Sequence, residues 1–164
     1  MPGRGVLYAL SDDDTARLLE APDDSILTAV VADLKSRWDT EWLCELDKAW
    51  DGIHRCLTDG KLEWTNGEYP LSHAILGSQR LYEGDEWFLL YVTPAQVADI
   101  SWALEGIHDA ELRRRYLAID PDDYEFSEYD DDVDYVAGWF KLMKRFYAKA
   151  AADGRPVLMT VDWT

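Results

Sequence analysis

Between Glu86 and Thr93 stand six apolar residues in succession, Trp87-Phe-Leu-Leu-Tyr-Val92. The run is too short for an ordinary helix. With no polar residue alternating along it, it reads as a strand covered by protein on both faces. Such a strand belongs in the middle of a sheet. Its exit is equally defined, because Thr93-Pro94-Ala95-Gln96 offers a capping hydroxyl, a proline suited to the first helical position and a glutamine placed to complete a capping box. A helix carrying Val97, Ile100 and Leu104 inward follows from that cap.

The N-terminal stretch has the same order of signals. Residues 4–10 read as a strand, and Ser11 is an N-cap with Asp14 three positions on, a capping box with Asp in place of Glu. Asp12, Asp13 and Asp14 place negative charge on the positive end of a helix dipole, and Leu18 and Leu19 supply its buried side. Two occurrences of so short a pattern do not establish a repeat. Pro22 suits the first turn of a second helix with Leu27, Val30, Val31, Leu34 and Trp38 at helical spacing. A third helix is expected over 46–60, striped by Leu46, Trp50, Ile53 and Leu57 and capped by Gly60.

Asn66-Gly67 marks a turn, and residues 70–77 fit one or two helical turns closed by Gly77. A short helix over 109–117 directs Leu112 and Tyr116 inward. A long one over 133–152 buries Val136, Ala137, Phe140, Met143 and Tyr147, with Lys144 at the edge of the stripe where its stem can snorkel. Residues 156–163 form a closing strand. Three strands near 4–10, 87–92 and 156–163, separated by about six helices, define an α+β fold with a small mixed sheet, and 164 residues are the size of a single domain.

Charge narrows the function classes. A formal net charge of −17 repels nucleic acid and anionic membrane surfaces and favours a basic protein as partner. No stretch reaches the ~20 apolar residues of a membrane span, and the N-terminus lacks a secretory apolar core with a cleavage site, so a cytoplasmic protein is expected. Cys44 and Cys56, placed on one continuous helix at ~1.5 Å per residue, would stand ~18 Å apart, beyond disulfide reach. Reduced thiols suit that compartment.

The phrases Asp47-Lys-Ala-Trp-Asp-Gly-Ile-His-Arg-Cys-Leu-Thr-Asp-Gly60, Pro70-Leu-Ser-His-Ala-Ile-Leu-Gly77 and Tyr91-Val-Thr-Pro-Ala-Gln-Val97 resemble the bacterial YfbM-like family, in the same order over most of the chain. That family is classed as a domain of unknown function. The resemblance therefore implies a cytoplasmic α+β fold and brings no reaction and no catalytic residues. The acidic segment 120–134 departs from the family pattern.

Two groups of residues carry chemistry. Asp47, Trp50, Asp51 and His54 share one side of the expected third helix, and with Ser72 and His73 the set Trp50, Asp51, His54, Ser72, His73 is a candidate ligand pocket. His54 and Cys56, two residues apart, face different ways and form no nucleophile pair. The second group is the segment 120–134, with nine acidic residues and no Lys or Arg. There Asp122, Asp123, Tyr124, Glu125, Glu128, Tyr129, Asp130, Asp131 and Asp132 form a candidate surface for a basic protein. Asp130, Asp132 and Asp134 begin like a calcium loop, but Tyr135 stands where glycine is needed and Lys141 where a bidentate glutamate belongs. No zinc motif, nucleotide loop or nucleophile elbow occurs, so neither metal nor cofactor is expected. The leading expectation is a non-catalytic binding protein, of the kind in which an immunity protein masks a cationic toxin. The alternative is a small-ligand binder or enzyme built on the first group.

Overall fold

Side-chain alternation along three strands sets the architecture. The computed structural model of the chain describes residues 3–162, apart from the side chains of Ser127 and Glu128. Its five-stranded sheet has the order β2-β1-β5-β4-β3, formed by β1 (Arg4–Ala9), β2 (Leu43–Asp47), β3 (Gln79–Arg80), β4 (Trp87–Val92) and β5 (Val157–Asp162). Leu7, Met159 and Leu90 align across β1, β5 and β4, and one residue along, Tyr8, Leu158 and Tyr91 align on the opposite face. Both rows are buried. The continuous apolar reading of 87–92 is thereby accounted for: Leu90 and Val92 enter one core, Leu89 and Tyr91 the other.

Helices cover each face. On one side lie α1 (Asp12–Leu19) and α2 (Asp24–Arg37), which bury Leu18, Leu27, Val30, Val31 and Leu34 against Val6, Tyr8 and Leu158. The larger core on the other side holds α3 (Trp50–Leu57), α4 (Pro94–Glu105), α5 (Asp109–Leu117) and α6 (Asp132–Ala152). The caps form as their sequences dictate. The Ser11 hydroxyl accepts from the Asp14 amide, and Thr93 and Gln96 complete a reciprocal capping box. Lys144 goes further than snorkelling, since its Nζ donates to the Ile107 carbonyl at 2.8 Å and ties α6 to the end of α4.

Several expectations are corrected. Every strand pairing is antiparallel, where a mixed sheet was expected. The central strand is β5, and β4 lies one place out, bordered only by the two-residue β3. The expected helix over 46–60 is divided: residues 43–47 pair with β1, Asp47 turns the chain in the left-handed region at φ 49°, and α3 begins at Trp50. Cys44 and Leu46 point inward two residues apart, a strand period that the helical stripe obscured. The two cysteines therefore sit on a strand and a helix, both buried and unpaired, with burial pushing each thiol up to about 12. Leu19 and Trp38 are exposed, because α1 ends and Trp38 adopts a left-handed cap (φ 41°) at those points. Residues 70–77 give only a 3-10 turn, Leu71–His73, and Gly77 packs so closely that a Cβ there would run into the Ser72 carbonyl.

Trp50 joins the layers. Its indole is 1% exposed, donates to the Gly3 carbonyl at 2.8 Å and meets Phe88 edge-on at 6.0 Å. Trp50→Ala is expected to cost about 3–5 kcal/mol of unfolding free energy, measured by urea denaturation, as for other large core truncations. A nearly unchanged midpoint would show that α3 is not a core element.

Candidate functional site

The amphipathic stripe of α3 turns Trp50, Ile53 and Leu57 into the core and leaves Asp51, His54 and Arg55 to find polar partners under the surface. All three are at least nine-tenths buried. His54 Nε2 lies 3.0 Å from both the Glu63 carbonyl and Asn66 Oδ1. The Asn66 amide nitrogen is committed to three acceptors, Thr58 Oγ1, Asp59 Oδ1 and the Lys61 carbonyl, so its oxygen must face the histidine. Both neighbours of Nε2 are then acceptors, and Nε2 carries the proton. Nδ1 is left as a buried lone pair with no partner. Burial holds this imidazole below its ordinary range, against the opposing pull of the Asn66 and Glu63 bonds. His54 thus staples α3 to the loop that follows it.

Arg55 does the equivalent on the next face. Its Nε donates to Asp51 Oδ1 at 2.6 Å, and its Nη1 to Asp123 Oδ2 at 2.8 Å and to the Gly60 carbonyl at 3.3 Å. The guanidinium also lies over the Tyr124 ring, 5.1 Å from its centroid. Burial pushes the Asp51 carboxyl up, opposed by its bonds to Arg55. Gly52 lets α3 come this near: a Cβ there would stand 2.6 Å from the Tyr124 hydroxyl and 2.8 Å from Val136 Cγ2. Tyr124, 2% exposed, donates to Asp132 Oδ2 at 2.8 Å, and Tyr116 donates to the same oxygen at 2.6 Å. Tyr135 donates to Asp47 Oδ2 at 2.6 Å and accepts from the Lys48 amide.

The hydrogen bonds of the candidate pocket residues do not join them into one cluster. Trp50 is core, Asp51 faces Arg55, His54 faces the 63–66 loop, and neither Asp51 nor His54 bonds to Ser72 or His73. Ser72 is buried and its Oγ lies 3.0 Å from His73 Nδ1, while the His73 ring meets Tyr69 edge-on. Among the described residues no group of three His, Cys, Asp or Glu side chains could hold a metal ion.

The acidic segment divides in two. Tyr124 and Asp132, expected on a contact surface, are buried anchors, and Asp123 is tied to Arg55. Asp122, Glu125, Tyr129, Asp130 and Asp131 are exposed, as is Asp120. The Glu128 side chain lies outside the described set. None of Asp120, Asp122, Glu125, Asp130 and Asp131 makes an ion pair among the described residues. Two clefts border the segment. One, of about 550 Å³, has Arg55 and Asp123 on its wall beside the 59–63 loop. The other, of about 220 Å³, is lined by Lys48, Phe126, Tyr129, Asp131, Asp132 and Tyr135. Neither includes any residue of the candidate pocket.

Sequence reasoning missed Arg55, Tyr116 and Tyr135 as members of these networks, and it set Asp47 beside Asp51 and His54 where the structure turns it to Tyr135. Arg55 had a readable signal, four residues after Asp51 on one helix face. The Asp47–Tyr135 bond spans 88 residues and had none. The cluster Arg113 to Arg115 forms no basic patch: Arg113 pairs with Asp109 and Asp134, and Arg114 and Arg115 share Glu111, pulling its carboxyl down to about 2.

A family model described as a domain of unknown function (DUF1877) matches residues 1–160. Among solved structures, the chain is similar to a protein of unknown function, YfbM, from Escherichia coli, with a TM-score of 0.65 at 23% identity, covering 96% of this chain and 99% of that one. At that identity the likeness speaks for the fold. No curated protein matches.

Two measurements test this geometry. The folded His54 stays neutral where the unfolded chain takes up a proton, so its contribution to stability is complete above about pH 6.5 and is lost as pH falls from there through its folded pKa. His73, also held down by burial, adds the same sign. The urea midpoint of the wild type should therefore fall more steeply between about pH 7.5 and about pH 5.5 than that of His54→Gln; equal slopes would remove His54 from the account. Gly52→Ala should cost about 1–3 kcal/mol by driving α3 away from Tyr124 and Val136, and a neutral result would show that this contact is slack.

Proposed function

This chain belongs to the family described as a domain of unknown function (DUF1877), and on that footing we propose that it is a non-catalytic, cytoplasmic binding module for a basic protein, of the immunity or inhibitor type. The observation that carries the reading is the division within the acidic segment. Arg55, Tyr124 and Asp132 hold the segment from behind, while Asp120, Asp122, Glu125, Asp130 and Asp131 stand outward and pair with no cation among the described residues. Carboxylates fixed in this way meet a basic surface without first losing the entropy of a mobile tail, and the net charge of −17 speeds the encounter. The pairing of all three arginines of α5 with acids leaves no basic patch there to oppose it.

The side chains that suggested catalysis support the same reading by being occupied. His54 is sealed with its proton committed, both thiols are buried, and Asp51 is bound to Arg55. Among the described residues, no helix is long and apolar enough to cross a membrane.

The test is a pull-down at low and moderate salt with the wild type and with a triple variant, Asp122→Asn, Asp130→Asn, Asp131→Asn. Basic proteins encoded beside its gene should be captured by the wild type, lost as salt rises and lost with the variant, whose thermal midpoint should be unchanged or slightly higher because like charges have been removed. A partner retained equally by the triple variant would sink the proposal.

A further inference from the structure

The cleft of about 220 Å³ beside the N-terminus of α6 has a composition that neither packing nor solubility requires. Its walls are the rings of Phe126, Tyr129 and Tyr135. Tyr129 is 55% exposed, and its ring stands 6.4 Å from that of Phe126, tilted 34° from it. Tyr135 is held in place by its hydroxyl, which bonds to Asp47, and by the edge of Trp139 at 6.2 Å. Asp132 also lines the cleft, although only 8% of it is exposed.

Asp132 is the residue that asks for a ligand. Its Oδ2 takes the hydroxyls of Tyr116 and Tyr124, and among the described residues the carboxylate makes no ion pair. The two hydroxyls offset part of this carboxylate's desolvation, and a cation in the cleft would add the charge that neutral donors lack. Asp131, exposed, adds a second acid to the same cleft.

From this geometry we propose that the cleft binds the guanidinium of an arginine side chain projecting from a basic protein partner. A planar cation stacks on the Tyr129 and Phe126 rings, gives one N–H to the Asp132 carboxylate and turns others toward Asp131. An ammonium has no face to stack and, more strongly hydrated, gives up more on entering. The volume suits one side chain and not a folded segment. Lys48 lies on the rim, exposed and without an ion pair among the described residues, so it competes for the same carboxylates and keeps the cleft selective for a cation that can also stack. The inference rests on the binding-module reading and names the contact that gives it specificity.

The experiment is a titration of the full chain with Nα-acetyl-arginine amide and, separately, the lysine equivalent, followed by side-chain NMR shifts. Arginine amide should shift the resonances of Phe126, Tyr129 and Tyr135 with a Kd on the order of millimolar, as befits one side chain. Lysine amide should bind at least several-fold more weakly. Tyr129→Ser, at an exposed ring, should weaken arginine binding about tenfold with an unchanged melting temperature, and Asp132→Asn should weaken it as well, with a lower melting temperature because both tyrosine bonds lose the charge of their acceptor. Lys48→Gln should tighten binding, an effect that a purely structural role for these residues would not produce. Equal affinity for both amides, shifts confined to other parts of the protein, or an unaltered Kd in Tyr129→Ser would each overturn the proposal. A basic partner lost with the triple acidic variant but indifferent to Tyr129→Ser would leave the binding-module reading standing and remove this site.

Discussion

Both halves of the molecule take their place from β5. Val157, Met159 and Val161 face one core and Leu158 the other, and the strand bonds on one side to β1 and on the other to β4. Because the side-chain period of a strand is two, a slip of one residue would exchange these faces and send each side chain into a core shaped for another. The register is therefore held by the fit of two cores and by the pairing of β5 with a neighbour on each side. Two cores of unequal size follow: a thin layer of α1 and α2, and a deep one in which α3 and α6 carry the polar network.

That network sits where burial of charge costs most. Arg55 is nine-tenths buried and bound to two carboxylates, an arrangement that contributes little net stability because desolvation offsets the attraction. What it supplies is position. Asp51 lies on the same helix as Arg55, whereas Asp123 is 68 residues away, so the guanidinium fixes where a distant stretch of chain meets α3. Tyr124 and Tyr116 repeat the device at Asp132 with neutral donors. A stretch with nine acids and no Lys or Arg, which composition alone would make a solvated loop, is in this way held against the core at three points.

The sequence made local signals legible and distant ones not. Caps at Ser11 and Thr93, the two-faced strand at 87–92 and the buried stripe of α6 all follow from neighbours within a few residues, and each is present. Leu46 shows why the reading failed at 43–47: its four-residue spacing to Trp50 fits a helix, and its two-residue spacing to Cys44 fits a strand. Only pairing with β1 decides between them. The site was less legible than the fold. Asp51 and His54 looked like ligand-pocket side chains because their partners, Arg55 aside, come from a loop that no periodicity places. Tyr124 looked like a contact residue because acids surround it in sequence, whereas in space it lies under α3 against Val136 and Arg55.

The position of β5 also orders events on the ribosome. Every other element precedes it in synthesis, yet β1 and β4 have no contact as sheet neighbours until it arrives between them. Until then a nascent chain would present two open strand borders, each lined with apolar side chains and unpaired amides, the kind of edge that recruits other chains. The dense negative charge of the chain, made before β5 in almost every residue, is then a guard during assembly as well as a property of the finished surface, since like-charged nascent chains repel before their edges can meet.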